Sequence, residues 1–398
     1  MGVQAGVESQ FHGIGKTQSK SLSELHEVLR KLEKAGHTAS ADAELMRSKI
    51  REALPGADTG GLLPQKKTPG GRTQVLHMNY VRSQSEKGIE TELEHLRFFA
   101  KTAQELGLKL KILPPGESRE DVEKELETAE YKGLEYTLTE SQTPVAKWAE
   151  DSVEYLEDGT LAVLNPSDED LLAWAMTAGR QQRWQGKLTP EYLESALQED
   201  HLWVPLGIWV NARETTAALE RMAQESGSAV GHIRAYIEGG NMITGEDATG
   251  KPVILVGRDA IATTAHLYQL TVDEVKQIIQ EDFGLGALEQ LICVEQPGQF
   301  HLDMGLLFLG NGVVVVNDSR EALKDATEIA EAVPCMTTET MAAKLQLQCG
   351  LETDAAQDLE AGGITVIREK LENGVSYNFF NGEFVVGQDG FDYYITNG

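Results

Sequence analysis

The chain has 398 residues, 41% hydrophobic and 25% charged, enough to bury a large core in the manner of a soluble globular protein. Its 63 acidic against 35 basic side chains give a formal net charge of -28, which repels nucleic acid and anionic membrane and attracts cationic ligands and basic peptides. No apolar run approaches the roughly 20 residues of a membrane span, and the N-terminus MGVQAGVESQFHGIGK lacks the charged-then-apolar order of a secretory signal, so a cytoplasmic protein is expected.

Residues 1–73 read as a helical extension and linker. SLSELHEVLRKLEKAG and ASADAELMRSKIREALPG place apolar residues at three- and four-residue spacing, and GADTGGLLPQKKTPGGR follows with linker composition. From residue 74 to 398 the rhythm changes. QVLHMNYV reads as a strand, GIETELEHLRFFAKTAQELG as an amphipathic helix and LKLKILP as a strand.

A unit then recurs, in which two β runs joined by a glycine turn are followed by a helix and a further β run. SVEYLEDGTLAVLNP turns at Asp158-Gly159 and precedes a long helical region containing LWVPLGIWV. AYIEGGNMITGEDATGKPVILVGRDAIATT turns near Thr249-Gly250, then helix TVDEVKQIIQEDFG and strand QLICVEQP follow. HLDMGLLFLGNGVVVVND turns at Asn311-Gly312, ahead of helical SREALKDATEIAEAV and TETMAAKLQLQ and strand ITVIRE. VSYNFFNGEFVVG reads as a last hairpin turning at Asn381-Gly382. Asn-Gly and Asp-Gly pairs between β runs mark hairpins because their turns need positive φ. The expected fold is therefore α/β, an array of ββαβ units.

If such units close around an axis, polar residues beside their strands line a central cleft. Four places qualify: KWAEDSVEYL with Trp148, Glu150 and Asp151; YIEGGNMI with Glu238 and Asn241; FHLDMG with His301 and Asp303; and the last hairpin, SYNFFNGEF. On a strand His301 and Asp303 share one face and Leu302 takes the other. Singly, each has an ordinary structural reading: a solvated Asp151, a core Trp148, a glycine turn at Glu238, a buried His–Asp pair. Together they place carboxylates and an imidazole at corresponding points of successive units, and such a group needs water or a cationic ligand to offset its desolvation.

W-x-E-D at 148–151, E-G-G-N at 238–241 and H-L-D at 301–303, in that order, resemble the guanidino-group modifying superfamily of arginine, agmatine and peptidylarginine deiminases, dimethylarginine hydrolases and amidinotransferases. The resemblance implies a five-bladed α/β propeller of ββαβ modules, the last one incomplete here, and covers about four-fifths of the chain. It implies that Asp151 and Asp303 grip the planar guanidinium cation through paired N–H donors. His301 would protonate the departing nitrogen and later activate water, Glu238 would orient the histidine, and Trp148 and Asn241 would contact substrate. The implied function is a deiminase-type hydrolase of arginine or an arginine derivative, with peptidyl arginine included. An amidinotransferase and a non-catalytic binder of guanidino groups or basic proteins are the alternatives. The expected partner is a guanidino small molecule or an arginine-containing basic protein, with no nucleic acid, membrane, cofactor or metal.

Two departures stand out. Glu150 occupies a position commonly arginine in agmatine-deiminase-like members. The family's nucleophilic cysteine lies beyond the last hairpin, whereas this sequence ends GFDYYITNG with no cysteine after Cys349. Truncation is the favoured expectation, ahead of an inactive relative or a nucleophile relocated to Cys335 or Cys349. The three cysteines, Cys293 included, show no CxxC spacing, which argues against a disulfide scaffold and a structural zinc site. H-x-D also opens the facial triad of non-haem iron enzymes, but His301 is the last histidine, leaving only His232 or His266 to complete such a site.

Overall fold

A computed structural model describes residues 56–70, 75–81, 83, 85–142, 148–164, 206–268, 270–297, 301–332, 337–369 and 379–396, with isolated positions between 41 and 54. The chain divides into two compact units, Met1–Gly56 and Ala57–Gly398. In the first, Ala41, Leu45 and Arg47, Ser48 and Lys49 are helical; the helix expected in SLSELHEVLRKLEKAG lies outside the described residues. Residues 57–70, grouped with the linker in the sequence, belong with the larger unit.

That unit is α/β, and its repeat is visible in the sheets. β4 (Val153–Tyr155) pairs antiparallel with β5 (Leu161–Val163), and β6 (Val230–His232) returns parallel to β5 after the helix Leu206–Ser226. β7 (Met242–Glu246), β8 (Pro252–Gly257) and β9 (Leu291–Val294) repeat the pattern, with the helices Arg258–Tyr268 and Val272–Asp282 between β8 and β9. β10 (Leu306–Gly310), β11 (Val313–Asn317) and β12 (Thr365–Glu369) repeat it again around the long helix Thr338–Ala361. Local chemistry sets the punctuation. Gly159, Gly250 and the pair Asn311 and Gly312 all take positive φ at the expected turns, and Thr271 opens its helix with a capping box to Glu274.

Both faces of the middle sheet are buried, which explains why PVILVG is apolar throughout instead of alternating. Met242, Ile254 and Val256 pack with Leu156, Ala162 and Ile233 of the preceding unit. Ile243, Val253 and Leu255 pack on the opposite face with Leu306, Phe308, Val314 and Val316 of the following one. Alternate residues thus weld the middle unit to its two neighbours.

The ends of the larger unit differ from the repeat. β1 (Val75–Asn79), β2 (Lys109–Leu113) and β3 (Tyr136–Leu138) form an all-parallel sheet with the helices Glu86–Leu106 and Arg119–Leu126. β13 (Gly382–Val386) and β14 (Asp392–Thr396) form the C-terminal hairpin. Its Val385 shares a core with Leu76, Met78, Leu110 and Ile112, and Gln388 N donates to Leu106 O at 2.9 Å. The two ends therefore meet. The first β run expected in VSYNFFNGEF lies mostly outside the described residues; Gly382 begins β13, and β13 reverses into β14 at Asp389-Gly390, where Gly390 has φ 81°. No helix among the described residues is long and apolar enough to cross a membrane.

Candidate functional site

Each of the three repeated hairpins is entered through a short turn, and these turns carry the polar residues. Glu150–Ser152 precedes β4, Gly239–Asn241 precedes β7, and His301–Gly305 precedes β10. His301 forms a single β-bridge and Asp303 lies in the turn that follows, so the two do not share a continuous strand. Their side chains still converge, because Leu302 between them is wholly buried in the core behind β10. The turns are clasped together: Leu302 N and Asp303 N both donate to Gly240 O, at 2.8 and 3.2 Å.

The result is a cluster around one imidazole. His301 Nε2 donates to Glu238 Oε2 at 2.9 Å, while Nδ1 faces Asp151 Oδ1 and Asp303 Oδ1, each at 3.9 Å. The four side chains keep between 9% and 24% exposure, so they are mostly desolvated yet reachable. Asn241 is buried in the middle turn, and Trp148 stands 58% exposed. The structure thus brings Asp151, Glu238, His301 and Asp303 together, with Asn241 in the adjoining turn, and leaves the indole of Trp148 largely in solvent.

Electrostatics follow from crowding. Burial would lower the pKa of His301, but Glu238, Asp151 and Asp303 outweigh it and hold the ring up at about 9, so it is an imidazolium at neutral pH. Burial raises Asp151 to about 6, against the opposing pull of His301 and a hydrogen bond from Gly240. Burial together with the nearby Glu150 charge raises Asp303 to about 7. These carboxyls are poised to lose protons when a cation arrives.

The two glycines of E-G-G-N have a steric role. A Cβ on Gly240 would lie 2.5 Å from His301 Nδ1 and 3.0 Å from Asp303 Oδ1, and one on Gly239 would overlap the Glu150 carbonyl. Gly240→Ala should therefore displace the imidazole and destabilise the fold by about 1–3 kcal/mol, as overpacking does. Chemical denaturation would measure this, and a stability within about 0.5 kcal/mol of wild type would show that the turns can move apart.

Three further residues surround the cluster, Lys67, Glu154 and Glu383, none of which the sequence reading assigns a role. Lys67 donates to Glu150 and, at 2.6 Å, to Glu154 Oε1, and Glu383 of β13 hydrogen-bonds Glu150. Burial, then the Glu150 charge, pushes the Glu383 carboxyl well up. Glu154 was legible as the polar middle of V-E-Y, and Glu383 lies in the last hairpin already singled out. Lys67 carried no signal, since lysine in PQKKTPGG is ordinary for a linker.

His232 pairs with Asp58 and Glu220, each at 3.2 Å, the side chain of His266 lies outside the described residues, and among the described residues no group of three His, Cys, Asp or Glu could hold a metal. Burial raises the Cys293 thiol to about 11, and its charged neighbours are Lys276, Arg258, Asp358 and Glu295. The Cys349 thiol is also pushed up by burial, among Glu352, Asp318, Arg368 and Arg320. Cys335 lies outside the described residues.

No protein-family model matches the chain, and no curated protein matches it in sequence. Solved structures do match. An X-ray structure of a protein assigned as an agmatine deiminase is 12% identical, with 83% of this chain and 84% of that chain covered and a TM-score of 0.51. The agmatine deiminase of Enterococcus faecalis is 12% identical over 85% of this chain and 77% of that chain, with a TM-score of 0.46. That of C. jejuni is 13% identical over 81% and 80%, with a TM-score of 0.44. The first of these likenesses shows the fold: this chain shares that of an agmatine deiminase structure, where W-x-E-D, E-G-G-N and H-L-D had pointed.

Proposed function

We propose that the chain binds a guanidinium group between Asp151 and Asp303 and that the site is built for deiminase-type chemistry on a small guanidino compound. The observation that carries this reading is His301, hydrogen-bonded to Glu238 and flanked by two partly exposed aspartates. A planar cation with N–H donors on two edges satisfies both carboxylates at once. His301, already an imidazolium, can protonate a leaving nitrogen, and Glu238 holds its ring in place. The shared fold supports the same class of substrate, since the neighbour is named for agmatine. In the architecture we propose, the parallel β1–β2–β3 sheet, the three repeated units and the C-terminal hairpin are the five modules of a propeller, the last of them incomplete.

Hydrolysis by this route needs a thiolate at the guanidinium carbon. Cys293 and Cys349 sit among other groups with thiols pushed up, so neither is poised as a thiolate. The described residues thus account for the grip and the acid–base pair. That same observation favours a second reading, a guanidino-binding protein without turnover.

Calorimetric titration with arginine, agmatine and an arginine-containing peptide tests the binding. A bound cation favours ionised Asp151 and Asp303, so affinity should strengthen as pH rises from 5 through about 6 and 7, with proton release. The slope should reach about tenfold per pH unit where one carboxyl titrates. Binding whose strength does not change between pH 5 and 8 would contradict the grip.

A further inference from the structure

We propose that Lys67 is a resident counter-cation, a positioning residue that fills one half of the acid cluster and confines the incoming guanidinium to the Asp151 and Asp303 half. This rests on the guanidino reading above and adds to it.

Six carboxyl groups, on Glu150, Asp151, Glu154, Glu238, Asp303 and Glu383, are linked through contacts or direct charge interactions, with His301 and Lys67 the bases among them in the described residues. The hydrogen bonds of the Lys67 ammonium go to none of Asp151, Glu238 and Asp303. It donates to Glu150, to Glu154 Oε1 at 2.6 Å, and to the carbonyls of Met242 at 3.2 Å and Gly239 at 3.4 Å. Those groups come from the turn before β4, from β4, and from the turn and first residue of β7. Glu383 of β13 completes the surroundings, and the ammonium also acts on Asp303. Lys67 thereby joins the Asp151 turn to the Gly240 turn that holds His301.

The segment that delivers it is fixed by main chain. Gln65 N donates to Tyr155 O, Lys67 N to Thr244 O, and Glu157 N to Leu63 O, so the strap lies along the β4 and β7 hairpins. Further back, Thr59 Oγ1 donates to Asp282 O. The lysine is therefore held on a rigid support, not on a free tail. A buried ion pair is weak evidence of stabilisation, since an apolar replacement of both partners is often as good. What the ammonium does supply is a positive charge where a second ligand cation would otherwise settle.

Its removal has a pH signature that a packing role lacks. With Lys67 gone, Glu150 and Glu154 face each other without their cation and their pKa values rise. Stability is then retained at low pH, where they are protonated, and lost as pH rises through those values. The test compares wild type, Lys67→Ala and the double variant K67M/E154Q by thermal unfolding at pH 5.5 and 8, with and without n-butylammonium. Lys67→Ala should lose at least twice as many degrees at pH 8 as at pH 5.5, and butylammonium should restore much of that loss. K67M/E154Q, which removes one charge of each sign, should fold, show little of this pH dependence and ignore the amine. Titrating methylguanidinium at pH 8 should give one bound cation per wild-type chain and two for Lys67→Ala. An equal loss at both pH values with no response to butylammonium would overturn the proposal. So would an unchanged stoichiometry in a wild type that binds. If wild type binds no guanidinium at all, the functional reading fails, while the unfolding comparison still decides the role of Lys67. Should Lys67→Ala not fold, K67M/E154Q decides it: retained pH dependence there overturns the proposal.

Discussion

Asp303→Asn should strongly weaken guanidinium binding and at the same time make the unliganded protein more stable at pH 8. The carboxyl is buried beside Glu150 and Asp151, and its pKa of about 7 means that folding works against its ionisation. The sign follows from linkage: a carboxyl raised in the folded state contributes most when protonated, and stability falls as pH climbs from about 4 through 7. Asparagine keeps the shape and removes the charge. The melting temperature should therefore rise by a few degrees at pH 8 and hardly change at pH 5. Binding of arginine or agmatine should weaken by at least about a hundredfold, because one half of a desolvated charge pair is gone. A variant that melts lower at pH 8 and binds normally would show Asp303 to be a structural partner of His301.

The second large effect is expected from Glu238→Gln. The elevated pKa of His301, about 9, is set against desolvation by the hydrogen bond it donates to Glu238, the charge of Asp151, the charge of Glu238 and that of Asp303. Glutamine still accepts a hydrogen bond through its amide oxygen but carries no charge. The imidazole should then titrate about 1–2 units lower, within reach of neutral pH, and be mostly deprotonated at pH 9. Following the ring C–H resonances of wild type and variant by NMR, with His301→Gln to assign the signal, would measure this. Stability moves with it. A histidine raised above 6.5 contributes fully below that pH and loses the contribution as pH passes its folded value, so Glu238→Gln should destabilise at pH 6 and much less at pH 10. A ring still titrating near 9 would assign the elevation to the two aspartates.

Much of this arrangement was legible in the sequence because it rests on local rules. Asp158-Gly159, Thr249-Gly250 and Asn311-Gly312 reverse the chain where positive φ is required, and from three reversals the repeat follows. Asn381-Gly382 carries the same signal for another reason. A Cβ on Gly382 would run into Ile395 O and the Tyr394 ring, so the glycine there serves a close approach between strands. The three-residue β3 was missed because Y-T-L is too short for periodicity to speak. In the site, E-G-G-N and H-L-D could be read because charge and glycine stand out among apolar neighbours. The i, i+2 spacing of His301 and Asp303 reads as strand alternation because Leu302 between them is anchored in the core. Lys67 could not be found at all. Its partners Glu150 and Glu154 are 83 and 87 residues away, and only tertiary packing makes a linker lysine a part of the acid cluster.

In the proposed function Asp151 and Asp303 hold a guanidinium beside His301. A crystal structure of the protein with arginine or agmatine at pH 8 tests it most directly. The expected result is a planar guanidinium within about 3 Å of a carboxylate oxygen of each aspartate, its carbon facing the imidazole. A ligand bound elsewhere, or a site with His301 still enclosed by its three carboxylates and no cation at saturating concentration, would contradict it.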